Sequence, residues 1–173
     1  TKLTKLRLGF NKLSGNLNGL QNLQNLNELV LYRLSNVYNE PAQPDFESMI
    51  PICNLINLKK LHFGNCTFVS KKIPLEIRGL TNLNNLYIGS DFTSGLEEIG
   101  YLRNLENLYI QYGSKFSGAL PASFSNLQNL KAINIYANSI NDMSVLGSIT
   151  GLELISLEQN DISTIPSSFA NLT

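Results

Sequence analysis

The 173-residue sequence predicts an α/β fold: a right-handed solenoid of about seven repeats, with a parallel β-sheet on one side and irregular, short 3-10 or helical returns on the other. Three observations predict it. The phrase L-x-x-L-x-L, with Ile or Phe admitted, occurs seven times. Successive copies start 22 to 32 residues apart, within one short chain. Composition is lopsided, with 30 Leu and 23 Asn making up almost a third of the residues. Such a bias suits a repeated unit better than an enzyme with a varied site.

The first leucines of the repeats are Leu3, Leu26, Leu58, Leu83, Leu105, Leu130 and Leu152. Apolar residues at alternate positions, as in Leu29 and Leu31, suit a short strand with one buried face. Each strand must be followed by a return that restarts the next in the same direction. Strands related this way are parallel and joined by right-handed crossovers. The returns carry a second apolar set, Ile73, Leu75, Ile77 and Leu80 in one and Leu120, Phe124 and Leu127 in another. No repeat can bury its own leucines, so neighbours stack into a single domain over 1–173. After the strands come Asn11, Cys66, Asp91, Asn138 and Asn160, each placed to bond turning backbone inside the stack. Leu34 interrupts this column, and Gly113-Ser114 brings an extra residue, so irregularity is expected at both places.

The text Leu3-x-x-Leu6-x-Leu8-x-x-Asn11-x-Leu13 resembles the leucine-rich repeat family, and the resemblance covers essentially the whole chain. Leu13-Ser14-Gly15-Asn16-Leu17, Ser117-Gly118-Ala119-Leu120-Pro121 and Ile73-Pro74-Leu75-Glu76-Ile77 are similar to the plant-type variant. Asn138-Ser139-Ile140-Asn141-Asp142 is closer to internalin-like repeats. The resemblance implies a curved solenoid whose sheet lines the concave face and serves binding rather than chemistry. Neither end shows a cap, so the sequence reads as part of a longer array. The second repeat is longer than the others through residues 36–45, an exposed loop with two prolines that is either a recognition element or a neutral insertion.

Alternation in L-x-x-L-x-L-x-x turns the third, fifth, seventh and eighth positions outward. The eighth column is Phe10, Arg33, Asn65, Ser90, Tyr112, Ala137 and Gln159. Five of the seven tyrosines fall on this face: Tyr32, Tyr87, Tyr109, Tyr112 and Tyr136. Tyrosine offers a large contact area at low entropic cost. Tyr87 and Tyr109 could equally pack as a cross-strand pair. Lys5, Arg7, Arg33, Lys60 and His62 gather over the first three repeats around Glu28. The middle repeats expose no charge in these columns, and Glu158 lies at the far end. The candidate ligand-binding set is therefore Arg7, Tyr32, Arg33, Lys60, His62, Tyr87, Tyr109, Tyr112 and Tyr136. Seven strands about 4.8 Å apart and about 17 Å long give a footprint of roughly 490 Å². A standard interface takes roughly 800 Å² from each partner, so tight binding calls for loops, further repeats or a second protomer.

Lys plus Arg and Asp plus Glu are both 13, so no field favours nucleic acid. No apolar run is long enough to span a bilayer. His62 is the single histidine, which excludes multi-histidine metal sites. It points away from Cys66, and Glu97-Glu98 reads as a solvated face. No catalytic residue, metal or cofactor is expected. Cys53 and Cys66 flank one strand and are expected to stay unpaired with each other. Asn65-Cys66-Thr67 and Asn171-Leu172-Thr173 match glycosylation acceptors. The sequence reading is a non-enzymatic recognition module for a protein, peptide or glycan, extracellular or at the cell surface. A cytoplasmic setting, a structural or adhesive role and inhibition of a secreted hydrolase stay open.

Overall fold

The structure is a computed structural model that describes residues 2–11, 13–32, 46–111 and 114–172. Arg33, Leu34, the loop at 36–45, Tyr112 and Gly113 lie outside the described residues.

Each L-x-x-L-x-L phrase forms a strand. β1 (Lys5–Arg7), β2 (Glu28–Tyr32), β3 (Lys60–Cys66), β4 (Asn85–Ser90) and β5 (Asn107–Ile110) come first. After a separate strand β6 (Ser117–Ala119) come β7 (Ala132–Ile135), β8 (Ser139–Asp142) and β9 (Leu154–Ser156). Seven of these form one parallel sheet in the order β1-β2-β3-β4-β5-β7-β9, on the concave face of a right-handed solenoid. Register follows the repeat: Leu29, Leu61, Leu86, Leu108 and Ile133 are aligned neighbours. From Leu26 to Ile135 the repeat leucines and their Ile or Phe equivalents are at most 1% exposed. Leu6, Leu8, Leu152, Ile155 and Leu157, in the first and last repeats, have a neighbour on one side and are partly exposed.

The returns are short. α1 (Ile50–Cys53) and α2 (Leu96–Ile99) are single helical turns, and the others, such as Leu75–Gly79 and Ala122–Asn126, are 3-10 turns. Pro74, Pro121 and Pro166 each precede a 3-10 turn in extended backbone, where the fixed φ of proline sets the entry angle. Ile73, Ile77, Leu80, Leu120, Phe124 and Leu127 are buried, as the sequence predicts. Leu75 is not, being 62% exposed on the convex surface. A 3-10 turn has three residues per turn, so Leu75 cannot share the inward face of Ile77.

A second sheet, which the L-x-x-L-x-L pattern does not signal, forms where the chain leaves the concave face. β6 pairs with β8, and isolated parallel bridges link Gly15 with Phe46, Phe46 with Phe68, and Lys72 with Ser94. Gly15, Gly95 and Gly118 turn the chain here with φ of +81° to +90°. Under this edge lies a phenylalanine column. Phe46, Phe68 and Phe92 follow one another at ring separations of 5.7 and 5.2 Å.

The turns that end the main strands come in two forms. Asn138 and Asn160 act as predicted. Asn160 donates through Nδ2 to the Ile135 and Leu157 carbonyls, and its Oδ1 accepts from the Ile140 N–H. The residue before each takes a left-handed φ, +54° at Ala137 and +56° at Gln159. Around β4 this arrangement changes. β4 lacks the left-handed residue that Asn65, with φ of +53°, supplies at the end of β3, so Ser90 pairs with Cys66. Ser90, expected to face outward, is therefore buried, and its hydroxyl donates to the Cys66 carbonyl. Asp91, expected to fill the column alone, keeps the acceptor half of the asparagine role: its Oδ1 takes the Phe68 N–H at 3.2 Å. Ser114 continues the serine column by donating to the Ser90 carbonyl at 2.7 Å.

Candidate functional site

The concave face carries two kinds of surface on one scaffold. Over β1 to β5 a row of rings runs across the strands. Phe10 packs on Tyr32 at 5.2 Å, Tyr32 meets His62 edge-on at 5.5 Å, His62 lies 4.0 Å from Tyr87, and Tyr87 stacks on Tyr109 at 6.2 Å. Alternation places these residues on the outer side, while register aligns them: His62, Tyr87 and Tyr109 are direct strand partners. Glycines seat the rings. A Cβ at Gly64 would meet the Tyr32 ring at 2.6 Å from Cδ2, and one at Gly89 would lie 3.4 Å from the Tyr87 ring.

Beyond the rings the face becomes a chain of amides and hydroxyls. Tyr87 Oη donates to Gln111 Oε1 at 2.9 Å, Gln111 Nε2 to Asn134 Oδ1 at 3.2 Å, and Asn134 Nδ2 to Ser156 Oγ at 3.3 Å. Ser156 then donates to the Glu158 carboxylate. Tyr87 joins both surfaces. Tyr136 is half-buried just past β7 on the same face.

Charge lies at the β1 end. Arg7 Nε donates to Glu28 Oε1 at 2.6 Å, and this bond, with the charges of Arg7, Lys60 and Lys5, holds the buried carboxyl below the usual carboxylate range. Lys60 is exposed beside it. Burial, reinforced by the charge of Lys60, pushes His62 below the ordinary histidine value. Its Nε2 is closed off from solvent and, among the described residues, has no hydrogen-bond partner.

Of the nine predicted residues, Tyr32, His62, Tyr87 and Tyr109 are brought into the row, with Arg7 and Lys60 at its charged end. Arg33 and Tyr112 lie outside the described residues. Phe10, Gln111 and Asn134 belong to the same surface although the candidate set omits them; their columns were readable, but their contacts depend on register across strands.

Two expectations elsewhere need correction or completion. Glu98 is not solvated: it is buried against Arg78 at 2.5 Å, while Arg78 lies over the Tyr101 ring at 3.7 Å. Only Glu97 of that pair faces solvent, because one helical turn points neighbours in different directions. Cys53 and Cys66 are both buried thiols. Burial, with the nearby Glu76 charge, pushes Cys53 up to about 12, so it is inert as a thiolate nucleophile at neutral pH. Among the described residues no cluster of three or more His, Cys, Asp or Glu could hold a metal, and no helix is long and apolar enough to cross a membrane.

A second set of asparagines, those that precede the strands, forms a ladder along the other edge. Asn57, Asn82, Asn104 and Asn129 each donate from Nδ2 to a carbonyl of the preceding repeat, at 2.7 to 3.0 Å. These four side chains satisfy backbone carbonyls between successive repeats.

The family model for the leucine rich repeat matches residues 103–162. Over that stretch the chain carries leucine-rich repeats, and over nearly its whole length it is similar to leucine-rich-repeat proteins. A curated relative, the transforming growth factor beta activator LRRC33 of Danio rerio, is 27% identical over 119 residues, 69% of this chain and 17% of its own length. The leucine-rich-repeat ectodomain of the Arabidopsis receptor kinase HAESA, solved with a peptide hormone ligand, is 27% identical at a TM-score of 0.75, covering 99% of this chain and 28% of its own. A leucine-rich-repeat protein of Leptospira interrogans is 25% identical at a TM-score of 0.72, covering 98% of this chain and 46% of its own. The chain thus spans less than half the length of each of these proteins.

Proposed function

We propose that this leucine-rich-repeat segment is a non-enzymatic recognition module, at the cell surface or outside the cell, that takes a protein or peptide across its concave face. The observation that carries the reading is the ring row. The core is complete without Phe10, Tyr32, His62, Tyr87 and Tyr109, yet they are placed side by side on the open face. Rings held by neighbours lose little freedom on binding, which favours affinity. Lys5, Arg7 and Lys60 outnumber Glu28 at one end, and Glu158 marks the other, so a ligand with an acidic end toward β1 and an uncharged middle complements the surface. The HAESA ectodomain, similar over nearly the whole chain, was solved with a peptide ligand, which supports the same class of partner.

The test is selection of peptides from a displayed random library on the immobilised protein. Their affinity is then measured for wild type and for a variant carrying Tyr87→Ala, Tyr109→Ala and Tyr136→Ala. At least about tenfold weakening is expected, since hot-spot tyrosines dominate such interfaces. The circular dichroism spectrum verifies that the variant stays folded. Equal affinity for a folded triple variant removes the concave face as the site.

A further inference from the structure

We propose that His62 makes the concave face pH-sensitive: the ring row is closed while the imidazole is neutral and opens when the imidazole takes up a proton. The regulatory meaning rests on the binding role proposed above, whereas the conformational change does not.

The geometry is that of an imidazole walled in on both sides. Tyr32 meets it at 84° and 5.5 Å, and Tyr87 lies 4.0 Å away on the other flank. Tyr32 cannot settle deeper, because its ring already rests on the Gly64 backbone. In this slot Nε2 is closed off from solvent and has no protein partner among the described residues. A neutral imidazole leaves one nitrogen without a proton, and that nitrogen loses a single hydrogen bond there. An imidazolium carries a proton on both nitrogens, so Nε2–H would be a charged donor with nothing to accept it.

The surroundings offer no rescue. Among the described residues, the titratable and charged groups on the strands packed against His62 are Glu28 and Tyr32 on β2, Lys60 on β3 and Tyr87 on β4. Arg7 reaches over from β1. Glu28 is committed to Arg7 at 2.6 Å, and Lys60 and Arg7 have the wrong sign. The faces of the two tyrosines attract a cation, but they supply no acceptor for Nε2–H. Proton uptake is thereby coupled to displacement of a flanking tyrosine, which lets water reach Nε2 and uncovers Gly64.

The sign follows from linkage. An unfolded histidine titrates near 6.5, and the folded one is held lower by burial. Stability is therefore full above the unfolded value and falls as pH drops through it toward the folded midpoint. The single histidine is the side chain whose ordinary value falls between about pH 7 and pH 5, and Glu28 is held below the usual carboxylate range.

The experiment is a proton NMR titration of the wild-type chain, in which the one imidazole has an unambiguous signal. The expected result is a midpoint below 6.5, with the Tyr32 and Tyr87 ring signals moving along the same curve. In His62→Phe those tyrosine signals should be flat over the window, and the fall of the melting temperature between pH 7 and 5 should disappear. A midpoint at or above 6.5, or tyrosine signals that ignore the wild-type titration, overturns the proposal even if the variant does not fold. Tyrosine signals that follow His62 while library-selected peptides bind equally at pH 7 and 5 support the switch and count against the binding role.

Discussion

The two halves of the concave face share one backbone and one register yet are held together differently. From Phe10 to Tyr109 the strands are bridged by ring contact, and each ring leans on a glycine or on the next ring. From Gln111 to Glu158 they are bridged by hydrogen bonds that all run in one direction and end on a carboxylate. The lesson is that the outward columns differ over one kind of core, because from β2 to β7 the leucines beneath are buried in both halves. What differs is what each half leaves for a partner. The amide chain uses its own donors and acceptors, while the ring half offers apolar area and unbalanced positive charge.

Tyr87, which belongs to both halves, gives the largest expected effect. Tyr87→Ala removes contact with His62 and Tyr109 and the hydroxyl bond to Gln111, and should cost about 2 kcal/mol, below the cost of a fully buried aromatic because the ring is half-buried. Tyr87→Phe keeps the ring and should cost about 0.5–1 kcal/mol, the net worth of one hydrogen bond. Urea unfolding of both variants separates ring from hydroxyl; equal losses would mean that the ring contacts contribute nothing.

Within the amide half, Asn134→Leu strands the Gln111 donor and frees Ser156. The groups are half-exposed and water can replace the lost partners, so about 1 kcal/mol is expected by the same measurement. A smaller loss at neutral pH is expected for Arg7→Met, and its interest lies in acid. Glu28 sits below its ordinary value in the fold, so the Arg7 pair adds stability above pH 4.5 that vanishes as pH falls through the folded value. The gap between wild type and variant should therefore close on acidification. A gap that persists in acid would assign Arg7 a packing role instead.

How far the sequence reached can be judged from particular residues. The L-x-x-L-x-L phrase located every strand of the main sheet, because period-two burial is written directly in residue type. It also put Tyr32, His62, Tyr87 and Tyr109 on one face. Counting from Leu83 places Ser90 and Asp91 as if β4 ended on the left-handed residue that Asn65 supplies in β3; β4 lacks it, so Ser90 takes the place opposite Cys66. A signal was present: Cys66-x-Phe68, Ser90-x-Phe92 and Ser114-x-Phe116 repeat with even spacing, and those phenylalanines form or extend the buried column. Glu98 and Leu75 were misjudged for another reason. In a single turn of helix no periodicity accumulates, so which side is buried depends on the neighbouring return, as with Arg78 over Glu98. The ring contacts themselves depend on side chains from strands some 25 residues apart, and no local pattern encodes them.

The smallest effect concerns how the amide half is fastened to its turns. Ala137 follows Tyr136 in left-handed backbone, a conformation that disfavours a Cβ unless the side chain can hydrogen-bond locally. Asparagine is the side chain that tolerates it, and Asn65 occupies the matching position in β3 with nearly the same φ. Ala137→Asn should therefore raise stability by about 0.5 kcal/mol with the ring half untouched, read as a small rise in the urea midpoint at constant slope. The β4 turn supplies the control. Ser90 at the equivalent count has no left-handed backbone and is buried, so Ser90→Asn should destabilise. If both substitutions moved stability in the same direction, the two turn types would not be the distinct solutions that their geometry indicates.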